Sequence, residues 1–317
     1  MLFLARNARL VQELFAILVA FFIVQNAFAN PAQCKKIRFS DVGWTDISAT
    51  TALASVILDA MGYETKTTQL SVPVTFVSLK NKDLDIFLGN WMPSMAADIA
   101  PYQKDGSVET VSTLLKGAKY TVAVPKYVYE AGVHSVADLN RNSDRFQRKI
   151  YGIEPGNDGN RHIQKMISDG AFGLSSWKLI ESSEQAMLMQ VLQAAKRKQW
   201  IAFLGWEPHP MNQKLEMVYL EGGDAYFGPN KGNSTVYINS RKNYSAECPQ
   251  VAAFLKKYTM SVESENVLMG MILDQKMDPK AAAKKWIQGN WNHVEPWLRD
   301  LKALNGESAV VAVKRAI

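Results

Sequence analysis

Cysteine occurs only twice in the 317 residues, at Cys34 and Cys248, and histidine only four times. Neither type clusters at ligand spacing, which excludes a zinc site of the usual Cys and His sets. The pattern G-x-S-x-G is absent, so no strand-to-helix elbow exposes a hydrolase serine. Blocks of like charge are missing too. The densest cluster, Lys196-Arg197-Lys198, closes a helical pattern, where cations suit the helix C-terminus. Nucleic acid would ask for a basic stripe with interleaved aromatics, and there is none. Beyond residue 30 no apolar run approaches the ~20 residues of a membrane-spanning helix.

What the chain does have begins with its first thirty residues. Arg6 and Arg9 precede an apolar run at 14–24, followed by Ala27-Phe28-Ala29. That order predicts an export signal over 1–29, cleaved after Ala29, and hence a protein of an oxidising compartment. The following "NPAQC" is no lipobox, so no lipid anchor is expected. The formal net charge is +6; setting aside the leader's two arginines and Glu13 leaves +5. Export favours a Cys34–Cys248 bridge over two buried thiols. For so long a loop the chain-entropy model gives about 5 kcal/mol as an upper figure.

Two stretches stand out, "DIFLGNWMPSM" at 85–95 and "WIAFLGWEPHP" at 200–210. Each is an apolar run, then glycine, then tryptophan, then proline two residues on. Trp44 follows another strand-like run, "KKIRFSDVG". Strand patterns alternate with helical ones across the chain, which argues for α/β architecture. The repeat of the Gly-(Asn)-Trp exit predicts two similar lobes, with crossings near 117–120 and 228–234. Ligands of open α/β sheets bind beyond the carboxyl ends of strands, so Trp44, Trp91 and Trp206 are expected at one crevice. A third "GNW" at 289–291 follows a helical pattern, with Gly289 as its expected C-cap. Trp177, Trp200, Trp286, Trp291 and Trp297 are therefore assigned to packing.

One strand-end tryptophan is more often core than ligand site. Three converging on one crevice suit an aromatic cage for a quaternary ammonium, which cannot donate a hydrogen bond. Asp46, two residues from Trp44, either joins that site or N-caps the next helix. Asn157 in "EPGNDGN" either faces the crevice or serves a turn. Tyr120 lies at the first crossing. His209 alone among the histidines can reach the site, and loop packing is its plainer role.

The segments "DVGWTDI", "DIFLGNWMPSM", "KYTVAVPKYVYEAGV", "IYGIEPGNDGN" and "FLGWEPHPMN" together resemble the periplasmic substrate-binding proteins of ABC importers for choline and betaines, most closely their choline-binding members in rhizobia. The resemblance implies a two-lobed, type II binding-protein fold with a mixed, mainly parallel sheet in each lobe. Its first lobe would take 30–117 and 232–317, its second 118–231. It implies a cage of Trp44, Trp91, Tyr120 and Trp206, polar contacts to the choline hydroxyl from Asp46 and Asn157, and a Cys34–Cys248 disulfide. It also implies no cofactor, metal or catalytic residue, and a monomer that delivers choline to an ABC permease and its ATPase.

Physical chemistry favours choline within that class. A carboxylate such as Asp46 attracts the cation and accepts from the choline hydroxyl, whereas it repels the carboxylate of glycine betaine or carnitine. Acetylcholine is disfavoured less. Four desolvated cation–π contacts give at most roughly 8 kcal/mol before ordering costs. A ligand of about seven heavy atoms has a ceiling near −10 kcal/mol. Micromolar to high-nanomolar affinity follows. A secreted choline-ester hydrolase is the rival from another class and lacks a nucleophile; a receptor for osmosensing or chemotaxis would share the same site.

Overall fold

The computed structural model describes residues 34–317, so the leader expected over 1–29 lies outside it. Its organising element is a strand of 18 residues, β4 (Val108–Pro125), which belongs to both ends of one sheet. Before it come β1 (Lys36–Asp41), β2 (Glu64–Gln69) and β3 (Ile86–Met92); after it come β5 (Lys149–Tyr151), β6 (Lys178–Ile180), β7 (Ala202–Glu207), β8 (Met217–Tyr219) and β9 (Asn233–Arg241). Their order is β2-β1-β3-β9-β4-β7-β5-β6, with β8 also on β4. The first part of β4 pairs with β9; from Lys119 onward it pairs with β7.

The sheet is mixed, as expected, but not mainly parallel. Of its eight pairings, four are parallel and lie on the flanks, among β1, β2 and β3 and among β5, β6 and β7. The four antiparallel ones all involve β4 or β9. These two strands return across the sheet rather than continue a strand–helix–strand unit, so no crossover helix sets their direction.

Trp91 and Trp206 do not stand beyond their strands. Both lie inside the strand ends, Trp91 in β3 and Trp206 in β7, and both are buried. Each strand then meets a cis X–Pro bond, Met92–Pro93 and Glu207–Pro208. The preceding glycines admit close neighbours. A Cβ on Gly89 would sit 2.0 Å from Ile47 Cδ1, and one on Gly205 would sit 2.5 Å from Met217 Cε. In β7 the glycine packs close on one face and leaves Trp206 on the other, whereas β3 carries a bulge between Phe87 and Asn90 just before Trp91.

The helix Thr45–Ala60 follows β1 and packs almost wholly buried against the helices Pro279–Gly289 and Val262–Leu273. Cys34 and Cys248 are bonded to each other, tying the entry of β1 to the helix Pro249–Lys257. Nearby, Asp85 is clamped by Arg38 and Arg241 at 2.8 and 2.7 Å, which joins β1 to the start of β3 and the end of β9. Trp286 and Trp297 stack on each other in the helical layer, as packing residues should. Gly289 is not the cap expected of it: it is the last helical residue and Asn290 follows as C-cap.

Candidate functional site

Trp44, Trp91, Tyr120 and Trp206 surround one chamber, with Ile153 as its fifth wall. Trp44 and Trp91 come from the β1–β3 side, Ile153 and Trp206 from the β5–β7 side, and Tyr120 from β4 between them. The ring centroids of Trp91 and Tyr120 are 5.9 Å apart, tilted 58°; those of Tyr120 and Trp206 are 6.4 Å apart, nearly perpendicular. Phe227 meets Tyr120 edge-on from behind at 6.0 Å. The rings crowd together and leave free room between them for about one water.

Two carboxylates, buried Asp46 and half-buried Glu154, hold two of these rings by their edges. Trp91 Nε1 donates to Asp46 Oδ2 at 3.1 Å, and Trp44 Nε1 donates to Glu154. Each acceptor pushes electron density back into its indole, which favours a cation on the ring face. Asp46 lies in the first turn of the helix Thr45–Ala60; the N-cap position is Trp44, so Asp46 is not the N-cap. Its Oδ1 is buried without a protein partner. Burial, then the nearby Glu184 carboxylate, pushes the Asp46 pKa up to about 8. Burial likewise pushes Glu154 up to about 7 and raises Asp158, whose two carboxylate oxygens also lack partners. A chamber walled by electron-rich rings and backed by acids that strain to hold their protons is complementary to a cation.

Asn157 is also brought to the site, but in a different role from a simple turn. It N-caps the helix Asp158–Ser168, its Oδ1 accepting from Asn160 N at 2.8 Å, and Tyr120 OH lies 3.4 Å from that same oxygen. Neither Asp46 nor Asn157 contributes to the chamber's immediate lining. His209 packs edge-on against Trp206 at 4.9 Å and is buried, as its plainer role required. Ile153, Glu154, Phe227 and Glu184 were not anticipated. Glu184 has a sequence signal only as the first helical residue after a Ser cap, which reads as ordinary helix chemistry.

Fold and chamber define a substrate-binding protein of the periplasmic-binding-protein class, a binder and not an enzyme. The model of the family described as the substrate-binding domain of the ABC-type glycine betaine transport system matches residues 35–289, and the chain belongs to that family. It is an extracytoplasmic component of a transport system. A solved ABC-transporter choline-binding protein in complex with choline is 52% identical, with 90% of this chain and 99% of that one covered, at a TM-score of 0.89. The unliganded, semi-closed conformation of an ABC-transporter choline-binding protein, at the same identity and coverage, gives 0.82. A lactococcal protein complexed with glycine betaine is 27% identical over 83% of this chain and 99% of its own, at 0.75. Among curated proteins, an uncharacterized protein of Chromohalobacter salexigens is 52% identical over 149 residues, 47% of this chain and 95% of its own length.

Proposed function

We propose that the chain is the periplasmic choline receptor of an ABC importer. The observation that carries this reading is the four-ring chamber, whose Trp91 is held from outside it by the buried, half-satisfied carboxylate of Asp46. Trp44, Trp91, Tyr120 and Trp206 hold the trimethylammonium head by their faces, while Asp46 and Asn157 serve the hydroxyl. Residues 30–117 with 232–317 form one lobe and 118–231 the other; they close on choline by a hinge where β4 and β9 cross. The change of β4 partners at Lys119 supports that boundary. The closed monomer hands choline to a membrane permease driven by its ATPase, and residues 1–29 direct export.

Glycine betaine is the second reading, because the family is named for its transport. Asp46 weighs against it: once ionised beside a bound cation, it repels a second carboxylate. Calorimetric titration of ligand-stripped protein tests both. Choline is expected to bind at micromolar affinity or tighter, acetylcholine more weakly, and glycine betaine hardly at all. Equal binding of betaine and choline would remove Asp46 as the selector; no binding of any of them would return the four rings to the core.

The raised acids add a prediction about pH. In the closed, ligand-free form Asp46 is mostly protonated at neutral pH, its pKa being about 8. A bound cation stabilises the ionised form, so the pKa falls on binding and a proton leaves. Choline affinity should therefore rise as pH increases toward about 8, by up to about tenfold per unit, and level off above. Titration in two buffers of different ionisation heat should show release of about one proton at pH 7. A pH-independent affinity with no buffer dependence would mean that Asp46 is already ionised without ligand.

A further inference from the structure

We infer that Glu184 is a positioning residue for ligand retention: it latches the segment Trp44-Thr45-Asp46 from the opposite side of the chamber. Glu184 Oε2 accepts from the Thr45 backbone N–H at 2.9 Å, and Oε1 accepts from Thr45 Oγ1 at 2.6 Å. His209 Nε2 lies 3.2 Å from Oε1. The Met211 amide donates to His209 Nδ1 at 3.0 Å, so that nitrogen carries no proton and the imidazole proton sits on Nε2, aimed at Glu184. Glu184 and His209 are both 1% exposed.

The inference rests on the closing, two-lobed reading above, in which Thr45 and Glu184 belong to different lobes. A carboxylate is costly to bury, and Glu184 is buried only because the two halves meet. It stands at the N-terminus of its own helix, Glu184–Lys196, and against the first amide of the helix Thr45–Ala60. Two positive helix ends thus share one anion. When the halves part, the Thr45 amide and hydroxyl and the carboxylate all go to water. The contact therefore exists only in the closed state.

Other polar contacts between the same halves are less fully buried: Glu154, which accepts from Trp44 Nε1, is half-buried, and the ion pairs are more exposed still. Arg161 with Asp98 and Lys214 with Asp274 each have a cation at least 40% exposed, and such pairs contribute little. The latch differs in grasping the three residues that carry one cage ring, one latch partner and the selecting acid. Losing one partner of a buried, hydrogen-bonded charge acts chiefly on dissociation.

The test is stopped-flow tryptophan fluorescence with choline on the full mature protein, comparing wild type, Glu184→Gln and Thr45→Ser. The amide of Glu184→Gln puts a donor where Thr45 and His209 both donate. Its dissociation rate constant and Kd should rise about tenfold or more, with association changed less than about twofold. Thr45→Ser keeps the hydroxyl and should behave as wild type. The ligand-free melting temperature should change less than the choline-bound one, because parting of the halves removes the contact. Unchanged dissociation in Glu184→Gln overturns the latch. So does a ligand-free melting temperature that falls while Kd holds, which marks a folding contact. If the wild type ignores choline but binds glycine betaine, the choline reading fails and the same comparison is read with betaine. A wild type that binds neither overturns both.

Discussion

Asp46→Asn should weaken choline binding at pH 7 by about a hundredfold while leaving the fold intact. The variant keeps shape and an acceptor for Trp91 Nε1, so the ring has no reason to move. Only the charge is lost. Breaking a buried charge pair costs about 3–5 kcal/mol. The wild type does not enjoy all of that at neutral pH, because Asp46 must first ionise from a pKa of about 8. One pH unit of that penalty is about 1.4 kcal/mol. Roughly 2–3 kcal/mol remains, near the hundredfold stated. The gap between wild type and variant should then widen from pH 7 to pH 9, which no purely steric account provides. Calorimetry at both values checks it. A difference under about threefold at pH 9 would put the cation's counter-charge elsewhere, with Glu154 the next residue to examine.

Asp85→Ala carries the largest expected effect on stability, about 3–4 kcal/mol or a melting temperature lower by roughly 10 °C. Burial pushes this carboxyl up, but hydrogen bonds from Arg38 and Arg241 outweigh it and hold the pKa below its ordinary value. Truncation would leave Arg241, with a side chain only 10% exposed, with Glu247 as its one carboxylate partner among the described residues. It would also strip the Arg38 amide of its acceptor. Because the folded pKa lies below the unfolded one, this stabilisation is complete above the ordinary carboxylate range and is lost as pH falls from there through the lower, folded pKa. Thermal melts at pH 7 and pH 3 should show a smaller deficit for the variant at the second. Equal deficits at both would mean that packing, not charge, is what Asp85 supplies.

The α/β architecture and the strand-exit tryptophans were legible because they depend on local signals, whereas Tyr120 joined the cage only through the family resemblance. An apolar strand, a glycine that admits a neighbour, and a tryptophan before proline can be read in a dozen residues. Placing those rings beyond their strands was too simple, since β3 and β7 run through Trp91 and Trp206 to Met92 and Glu207. What could not be read depends on long-range pairing. Glu154 follows β5 in a turn-like "EPGN", and only the approach of that turn to the exit of β1 brings it to the Trp44 indole. Glu184 reads as an ordinary first-turn acid until the second helix end appears across from it. Asn157 shows that two readings can share a residue: its oxygen caps a helix and lies within reach of the Tyr120 hydroxyl. The mainly parallel sheet failed for a related reason. Strand direction in β4 and β9 is set by the traverse between halves, which no local pattern encodes.

Tyr120 directly follows Lys119, the residue of β4 that pairs with both Asn233 and Glu207. On the two-lobed reading it stands at the fulcrum, where a turn of one half against the other moves atoms least. Trp44 and Trp206 ride on opposite arms and travel furthest. The cage thus contains two kinds of reporter. Indole emission follows how far the jaws have swung, whereas the ring resonances of Tyr120 follow what rests against them. A jaw that shuts on nothing would change the first signal and leave the second almost still.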